Sequence, residues 1–164
     1  MTYITHYPSP VGRLTLASDG EAITGLWIAG QKYFAATLPE DTCLRPDLSV
    51  FLQAAAWLDA YFGEEDLPSL PPLRPDGTPF RKTVWEALLD IPYGVTVTYG
   101  ELAERLQFSG IFTSARAVGG AVGHNPISIL IPCHRVLGAD GSLTGYAGGV
   151  EVKRFLLELE SHES

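Results

Sequence analysis

The sequence predicts an α/β fold in two parts: a small N-terminal subdomain with an antiparallel β-sheet and a helix, then an α-rich C-terminal subdomain with a helix-turn-helix. The start of the chain carries short runs rich in β-branched and aromatic residues, whereas the later part carries apolar residues at helical spacing. Between them, residues 64–77 are rich in proline, acidic residues and glycine, which indicates a linker. We therefore place the subdomains at residues 1–76 and 77–164.

Three runs in the N-terminal subdomain have the composition of strands, and turn-forming residues separate them at 8–12 and 18–21. The predicted strands are Tyr3–Tyr7, Arg13–Ala17 and Ile23–Ile28. A helix is predicted next, because apolar residues recur at helical spacing up to Phe62, where Gly63 follows. Its predicted buried face is Leu48, Phe51, Leu52, Ala55, Leu58 and Phe62.

The C-terminal subdomain is predicted to contain short helices with recognisable N-caps. Thr78 can cap a helix that begins with Pro79, and Thr98 with Glu101 has the capping-box pattern that opens a second helix over 98–106. A third helix is predicted from Thr113 or Ser114 to about Gly123, and a fourth over 152–159.

The helices 98–106 and 114–123 have the spacing of a helix-turn-helix, although plain packing of a helical pair is the alternative. Gly119 and Gly120 lie inside the second helix, where each costs roughly 1 kcal/mol against alanine. They indicate either close helix packing or close approach of the backbone to a ligand. Arg116 beside them is either an ordinary surface charge or part of such a site.

An apolar run over 127–131, predicted to be a buried strand or extended segment, leads to Cys133. A cysteine after such a run is often an inert core residue, but His134 and Arg135 favour its thiolate and so raise its nucleophilicity. Adjacent residues on an extended chain point to opposite faces, so His134 reaches the sulfur only if the backbone turns or a water bridges them. This adjacency disfavours an ordinary cysteine hydrolase.

The chain is acidic, with a formal net charge of −8 and a pI near 4.8, which by itself argues against a nucleic-acid partner. Residues 1–79 hold four Lys/Arg and ten Asp/Glu, a net of −6, whereas residues 80–164 hold seven and nine, a net of −2. No apolar run is long enough to span a bilayer, and residues 1–7 lack the pattern of a secretory signal. We therefore expect no membrane partner and a cytoplasmic location.

Several motifs resemble those of one family. Residues 116–136, RAVGGAVGHNPISILIPCHRV, resemble the signature of the O6-alkylguanine-DNA alkyltransferases, also called methylated-DNA–protein-cysteine methyltransferases. Residues 77–103 resemble the beginning of that family's DNA-binding domain, and residues 141–149 and 153–160 resemble its C-terminal part. Because several motifs agree in order and spacing, the chain is identified as a member, and the helix-turn-helix is expected to be winged-helix-like.

The resemblance implies DNA repair by direct reversal. The damaged base, an O6-alkylguanine or as a second candidate an O4-alkylthymine, is rotated out of double-stranded DNA, and its alkyl group passes irreversibly to Cys133. The thioether has no hydrolytic exit, so each molecule acts once. We expect a monomer that needs no cofactor, and no metal, because Cys43 and His6 lack enough further ligands.

The resemblance also assigns the catalytic roles. Cys133 matches the acceptor, His134 the residue that polarises it through a bound water, and Glu160 the carboxylate that orients the histidine. Tyr99 matches a tyrosine that crowds the 3′ phosphate and donates its hydroxyl to the leaving guanine. Asn125 matches the residue that braces the turn before the active-site segment.

The remaining assigned residues line the substrate pocket and the DNA surface. Tyr146 matches the aromatic wall of the pocket, and the backbone N–H of Ala147 is expected to face the guanine oxygen, with Val136 also at the pocket. Arg116 matches a finger that fills the gap left by the rotated base. The family's recognition helix enters the minor groove, where small residues allow close approach. The expected DNA-binding residues are Arg116, Ala117, Gly119, Gly120 and Tyr99.

The chain departs from the family pattern in the loop 107–113, which is longer than in many members, and at Ser128, where some members carry a proline. Two other functional classes are alternatives. A damage sensor, which only binds the lesion, carries another residue in place of Cys133, and a cysteine hydrolase turns over without DNA. A regulatory role belongs to longer members with an extra N-terminal domain.

Overall fold

The computed structural model describes residues 1–31, 34–35, 37–143 and 146–161, and the chain falls into two compact units. The first unit holds residues 1–76 together with 126–130, and the second holds residues 77–125 and 131–164. The division predicted from the sequence differs in one respect, because it assigns the short segment 126–130 to the C-terminal part. Within the described residues, no helix is both long enough and apolar enough to cross a membrane.

The first unit is built on a four-stranded sheet in the order β3-β2-β1-β4. The strands are β1 (Thr2–Ser9), β2 (Gly12–Ser18), β3 (Ile23–Ile28) and β4 (Thr42–Leu44). The first three form the predicted antiparallel meander, in which Leu16 of β2 pairs with Thr5 of β1 and Leu26 of β3. The prediction lacks β4, which pairs parallel to β1, because three residues are too few for an alternating pattern to be visible.

Helix α1 (Ser49–Phe62) covers the predicted range, and burial of Phe51 and Leu58 is confirmed, but the rest of the buried face differs from the prediction. Leu52, predicted to be buried, is 60% exposed. The buried side chains are Val50, Phe51, Ala54, Trp57, Leu58, Ala60 and Tyr61. Trp57 and Tyr61 lie one turn apart and their rings stack with centroids 5.1 Å apart. Large aromatic side chains bury more area than leucine, so they decide which face of this apolar helix turns inward.

Within the predicted linker, residues 72–74 lie against the free edge of β3. The N–H of Ile23 donates to the carbonyl of Pro72 at 2.8 Å, and the N–H of Arg74 donates to the carbonyl of Ile23 at 2.8 Å. The Arg74 side chain also pairs with the carboxylate of Asp19. The prolines suit this position, since an edge segment needs only part of its backbone donors.

The segment 126–130 covers the same edge of β3 further along. The N–H of Leu26 donates to the carbonyl of Pro126 at 2.8 Å, and its carbonyl accepts from the N–H of Ser128 at 3.0 Å. The strand predicted here is therefore reduced to a single bridge, although its burial is confirmed. The chain then turns at Ile129, whose φ of +71° is unusual for a β-branched residue and marks a strained γ-turn.

The second unit is mainly helical, as predicted. Its elements are α2 (Pro79–Leu88), β5 (Val97–Thr98), α3 (Tyr99–Phe108), α4 (Ala115–Gly123), a 3-10 turn (Cys133–Arg135), β6 (Val136–Leu137) and α5 (Val150–Ser161). β5 and β6 form a short parallel pair. The predicted caps are confirmed: Thr78 caps α2, and Thr98 forms a full capping box with Glu101 at the start of α3. Ser114, rather than Thr113, caps α4.

Helices α3 and α4 lie in the predicted ranges and contact each other, and α2 supports α4 from its buried side. The indole Nε1 of Trp85 in α2 donates to the carbonyl of Ala121 in α4 at 2.8 Å. Val118, Ala121 and Val122 give α4 a narrow buried face, so the rest of the helix is open to a partner.

Candidate active site

Cys133 begins a tight turn in the second unit and is only 3% exposed. Its N–H donates to the carbonyl of Ile131 at 2.8 Å across Pro132, whose φ of −79° and ψ of 62° define an inverse γ-turn. The 3-10 turn Cys133–Arg135 follows immediately. The backbone therefore turns at the Cys-His step, and the objection that applies to an extended chain does not apply here.

Asn125 braces this turn from the end of α4. Its Nδ2 donates to the carbonyl of Ile131 at 3.0 Å, and its side chain also forms a hydrogen bond with the thiol of Cys133. The residue is buried, so both hydrogen bonds are shielded from water. The position of the nucleophile is thereby tied to the C-terminal end of the helix that is predicted to bind DNA.

His134 pairs with the carboxylate of Glu160, which reaches it from α5. The ring Nε2 lies 2.6 Å from Oε2 of Glu160, and both side chains are fully buried. A carboxylate can only accept, so Nε2 carries the proton and Nδ1 is the basic nitrogen. Burial holds the pKa of His134 below its ordinary value and outweighs the opposing effect of Glu160. His134 is therefore neutral at neutral pH and able to take a proton.

Arg135 supplies the charge that balances Glu160. Its Nε and one terminal nitrogen donate to the two carboxylate oxygens at 2.8 and 3.1 Å, and its other terminal nitrogen donates to the carbonyl of Ile91 at 2.7 Å. The N–H of Gly94 adds a further bond to Glu160 at 3.1 Å. Burial alone raises the pKa of this carboxyl, but the bonds from His134 and Arg135 outweigh it and hold the pKa well below its usual range.

The thiol of Cys133 is neutral at rest, contrary to the expectation that its two neighbours favour the thiolate. Burial raises its pKa to about 11, opposed by the hydrogen bond from Asn125 and the charge of Lys153. Arg135 does not act on the sulfur, because its guanidinium is engaged with Glu160. Arg135, the sequence neighbour, therefore pairs with the carboxylate of Glu160. The positive charge near the thiol belongs to Lys153, which is distant in sequence.

Lys153 is the site residue absent from the sequence-based assignment. Its side chain is fully buried, and Nζ donates to the carbonyl of Val136 and lies 5.9 Å from the centre of the Tyr99 ring. Burial lowers its pKa to about 8, and the nearby Cys133 opposes this. A sequence signal exists: Lys153 lies three residues before the buried Leu156 and seven before Glu160, on the inward face of α5.

Tyr99 occupies the first position of α3, and its ring lies next to the ammonium group of Lys153. Burial and the neighbouring Cys133 raise the pKa of its hydroxyl to about 12, so the hydroxyl keeps its proton and can donate a hydrogen bond. A Cβ added to Gly119 of α4 comes within 3.8 Å of the Tyr99 ring, which is ordinary contact. Tyr99 therefore lies beside Gly119 of α4 and also beside the nucleophile.

Tyr146 borders the histidine. Its ring meets the ring of His134 edge to face with centroids 6.5 Å apart, and the residue is buried. Ala147 follows it and is half-buried, and Val136 is buried where β6 begins. Part of the segment 141–149, which resembles the family's C-terminal part, lies outside the described residues, since residues 144 and 145 are not described.

The outer face of α4 contains the predicted DNA-contacting residues. Arg116, Ala117 and Gly120 are exposed, and Gly119 is half-buried. A Cβ added to Gly120 meets no atom within 4 Å, so packing within the second unit does not require a glycine there. Of the two interpretations of this glycine, helix packing is therefore wrong for Gly120, and close approach of a ligand remains.

Two family models cover nearly the whole chain. Residues 2–75 match the ribonuclease-like domain of 6-O-methylguanine DNA methyltransferase, and residues 79–162 match the DNA-binding domain of the same enzyme. A methylated-DNA–protein-cysteine methyltransferase from Haemophilus influenzae is 50% identical over 160 residues, covering 96% of this chain and 86% of the relative. One from Mycobacterium tuberculosis is 49% identical, covering 93% of this chain and 88% of the relative.

Two solved structures are similar to this chain over nearly its whole length. The crystal structure of OGT from Mycobacterium tuberculosis in complex with DNA is similar with a TM-score of 0.86 and 45% identity, covering 98% of this chain and 93% of that one. O6-methylguanine-DNA methyltransferase from the archaeon Pyrococcus kodakaraensis is similar with a TM-score of 0.62 and 28% identity, covering 98% and 99%. The chain thus belongs to the O6-methylguanine DNA methyltransferase family.

Proposed function

We propose that the chain repairs DNA by transferring the alkyl group of O6-alkylguanine to the sulfur of Cys133, once per molecule. The observation that carries this is the setting of the thiol in a family member: a buried cysteine beside a buried lysine, followed by a His134–Glu160 pair. In the reaction a bond forms between sulfur and the alkyl carbon as the bond between that carbon and O6 breaks. The proton lost by the thiol balances the proton gained by guanine.

The proton leaves Cys133 toward His134. The neutral imidazole accepts it at Nδ1, through a bound water, while Nε2 donates to Glu160. The imidazolium that forms is stabilised by the carboxylate, whose position is fixed by Arg135. The charge of Lys153 stabilises the thiolate at the moment of attack. The thiol is thus protonated at rest and becomes the nucleophile only as His134 removes its proton.

The leaving guanine is stabilised by donors. The hydroxyl of Tyr99, still protonated because its pKa is raised to about 12, donates to the leaving base. The backbone N–H of Ala147 faces O6, where negative charge develops as the bond to carbon breaks. Tyr146 and Val136 form the walls that receive the base.

The DNA is bound by the helix-turn-helix. Helix α4 enters the minor groove with its exposed face, the target base is rotated out, and Arg116 fills the gap in the stack. Ala117, Gly119 and Gly120 keep this face small enough for close approach. Backbone N–H groups at the N-termini of α3 and α4 can bind phosphates, so few cations are needed, and the chain binds DNA despite its acidic charge.

Cys133 is expected to gain one CH2 unit, in stoichiometric yield, when the protein meets a duplex with one O6-methylguanine. Peptide mass mapping after proteolysis measures the gain, and undamaged duplex is the control. Binding without a mass change contradicts the transfer and favours a sensor. A duplex carrying O4-methylthymine tests the second candidate substrate by the same readout.

The transfer rate is expected to be level through neutral pH and to fall in acid. Because the folded pKa of His134 lies below 6.5, the base is lost only as the pH drops through that lower value. The fold weakens at higher pH than the rate does, between the unfolded and folded pKa values, because there the unfolded chain binds a proton that the buried ring does not. Single-turnover rates at saturating duplex measure the profile. The variant His134→Gln should lower the neutral rate by about 10²–10⁴-fold and lose the acid limb; an unchanged limb contradicts the role.

Glu160→Gln is expected to reduce the free energy of unfolding by about 3–5 kcal/mol, because it leaves Arg135 as a buried charge without a counter-ion. It should also slow transfer, because the imidazolium loses its carboxylate. Denaturant unfolding and single-turnover rates measure the two effects. Glu158→Gln, two residues earlier and exposed on α5, is the matched control and should change neither. Equal effects in the two variants contradict the assignment.

Gly120→Ala is expected to stabilise the fold by about 1 kcal/mol, because the added methyl meets no protein atom and alanine favours a helix. The same methyl should weaken binding to duplex DNA, because it lies on the face that enters the groove. Thermal unfolding and fluorescence anisotropy measure the two effects. Ala56→Gly on the exposed side of α1 is the reverse control, losing stability without loss of DNA binding. Gained stability with unchanged affinity excludes Gly120 from the DNA contact.

A further inference from the structure

The last residue of α3 and the loop that follows it carry two phenylalanine side chains that face solvent. Phe108 is 96% exposed and Phe112 is 101% exposed, more than any other large apolar side chain among the described residues. Single exposed apolar residues are ordinary, but two fully exposed aromatic rings within five residues indicate a contact surface. Neither ring contributes to the core of the second unit.

The loop has a defined shape, so these rings are presented by the backbone. The N–H of Ile111 donates back to the carbonyl of Leu106 at 2.9 Å, and Nε2 of Gln107 donates to the carbonyl of Thr113 at 2.6 Å. Gly110 provides the turn with a φ of +91°, which other residues rarely adopt. The residues between the two phenylalanines therefore tie the loop to α3.

The charges near the two rings favour DNA over a second copy of this chain as the binding partner. The stretch from Arg105 to Arg116 holds two arginines and no carboxylate, in a chain of net charge −8. Ser114, which caps α4, follows Phe112 by two residues, so the loop leads directly into the helix proposed to bind DNA. A second copy of this acidic chain is opposed by like charge, whereas phosphates are attracted to the arginines.

We propose that Phe108 and Phe112 contact duplex DNA next to the position of α4, packing against deoxyribose edges and exposed base faces. The proposal rests on the proposed function, because α4 defines where the DNA lies. Aromatic side chains bind DNA in this way wherever stacking is disturbed, and they need no charge to do so. The longer loop thus adds an uncharged contact to an interface that is poor in cations.

The variant with both phenylalanines changed to alanine is expected to bind undamaged duplex about tenfold more weakly. Its log–log salt slope should be unchanged, because no phosphate contact is lost. In single-turnover transfer, the half-saturating duplex concentration should rise by the same factor while the rate at saturation stays constant. Leu52→Ala, which removes a 60% exposed side chain from α1, is the matched control and should change none of these values.

A second variant reports the contact directly. The three native tryptophans, Trp27, Trp57 and Trp85, are buried, so Phe112→Trp adds an indole that collisional quenchers reach. Duplex DNA should shield this indole from acrylamide and shift its emission.

Unchanged affinity in the double alanine variant, or full quenching of the added indole in the DNA complex, overturns the proposal. Sedimentation of the free protein tests the other occupant: a dimer that the double variant abolishes, with DNA binding intact, also overturns it. Failure of the native protein to alkylate Cys133 contradicts the proposed function instead, because the binding measurements use undamaged duplex and require no transfer.

Discussion

The site depends on one carboxylate. Glu160 accepts two hydrogen bonds from Arg135 and one each from His134 and the Gly94 backbone, so it joins α5, the 3-10 turn and the segment after α2. A buried carboxylate is costly unless its lone pairs are filled, and here four donors fill them. The orientation of His134 follows from this cluster, and the position of Cys133 follows from the turn that His134 shares with it.

In the resting protein the thiol of Cys133 is protonated, so it is not yet reactive. A thiol with a pKa near 11 is a poor nucleophile toward small electrophiles in the cell, and this protects a protein that can react only once. In the proposed reaction, Lys153 acts on the sulfur by its charge, and the His134–Glu160 pair acts by removing the proton. The pKa of about 11 leaves the resting thiol protonated even with Lys153 beside it, so the proposed reaction removes the proton as the sulfur attacks.

Much of the fold follows from local patterns, and the misses have physical causes. The meander, the caps at Thr78 and Thr98 and the ranges of α3 and α4 each depend on residues that are close together in the sequence. The inward face of α1 is not, because nearly every position of that helix is apolar and only tertiary packing of Trp57 and Tyr61 selects one side. The same holds for β4, whose three residues gain their structure from β1 alone.

Some residues of the site could likewise be assigned from the sequence, and others could not. Cys133, His134 and Glu160 could be assigned by resemblance, and the structure then gives their geometry. The roles of Arg135 and Lys153 could not be assigned, because each depends on which distant group lies opposite it. Arg135 follows Cys133 in sequence, yet it pairs with the carboxylate of Glu160 on α5. Lys153 resembles a surface lysine in the sequence, but the packing of α5 buries it.

The γ-turn segment 126–130 is part of the first unit although it lies between two stretches of the second. The chain thus passes from Asn125 through the edge of β3 before it reaches the nucleophile. Residues 77–164 expressed alone lose the backbone partner that Leu26 provides, so the carbonyl of Pro126 and the N–H of Ser128 lose their hydrogen bonds. The segment that leads to the nucleophile therefore takes its backbone hydrogen bonds from a strand that lies about a hundred residues earlier in the chain.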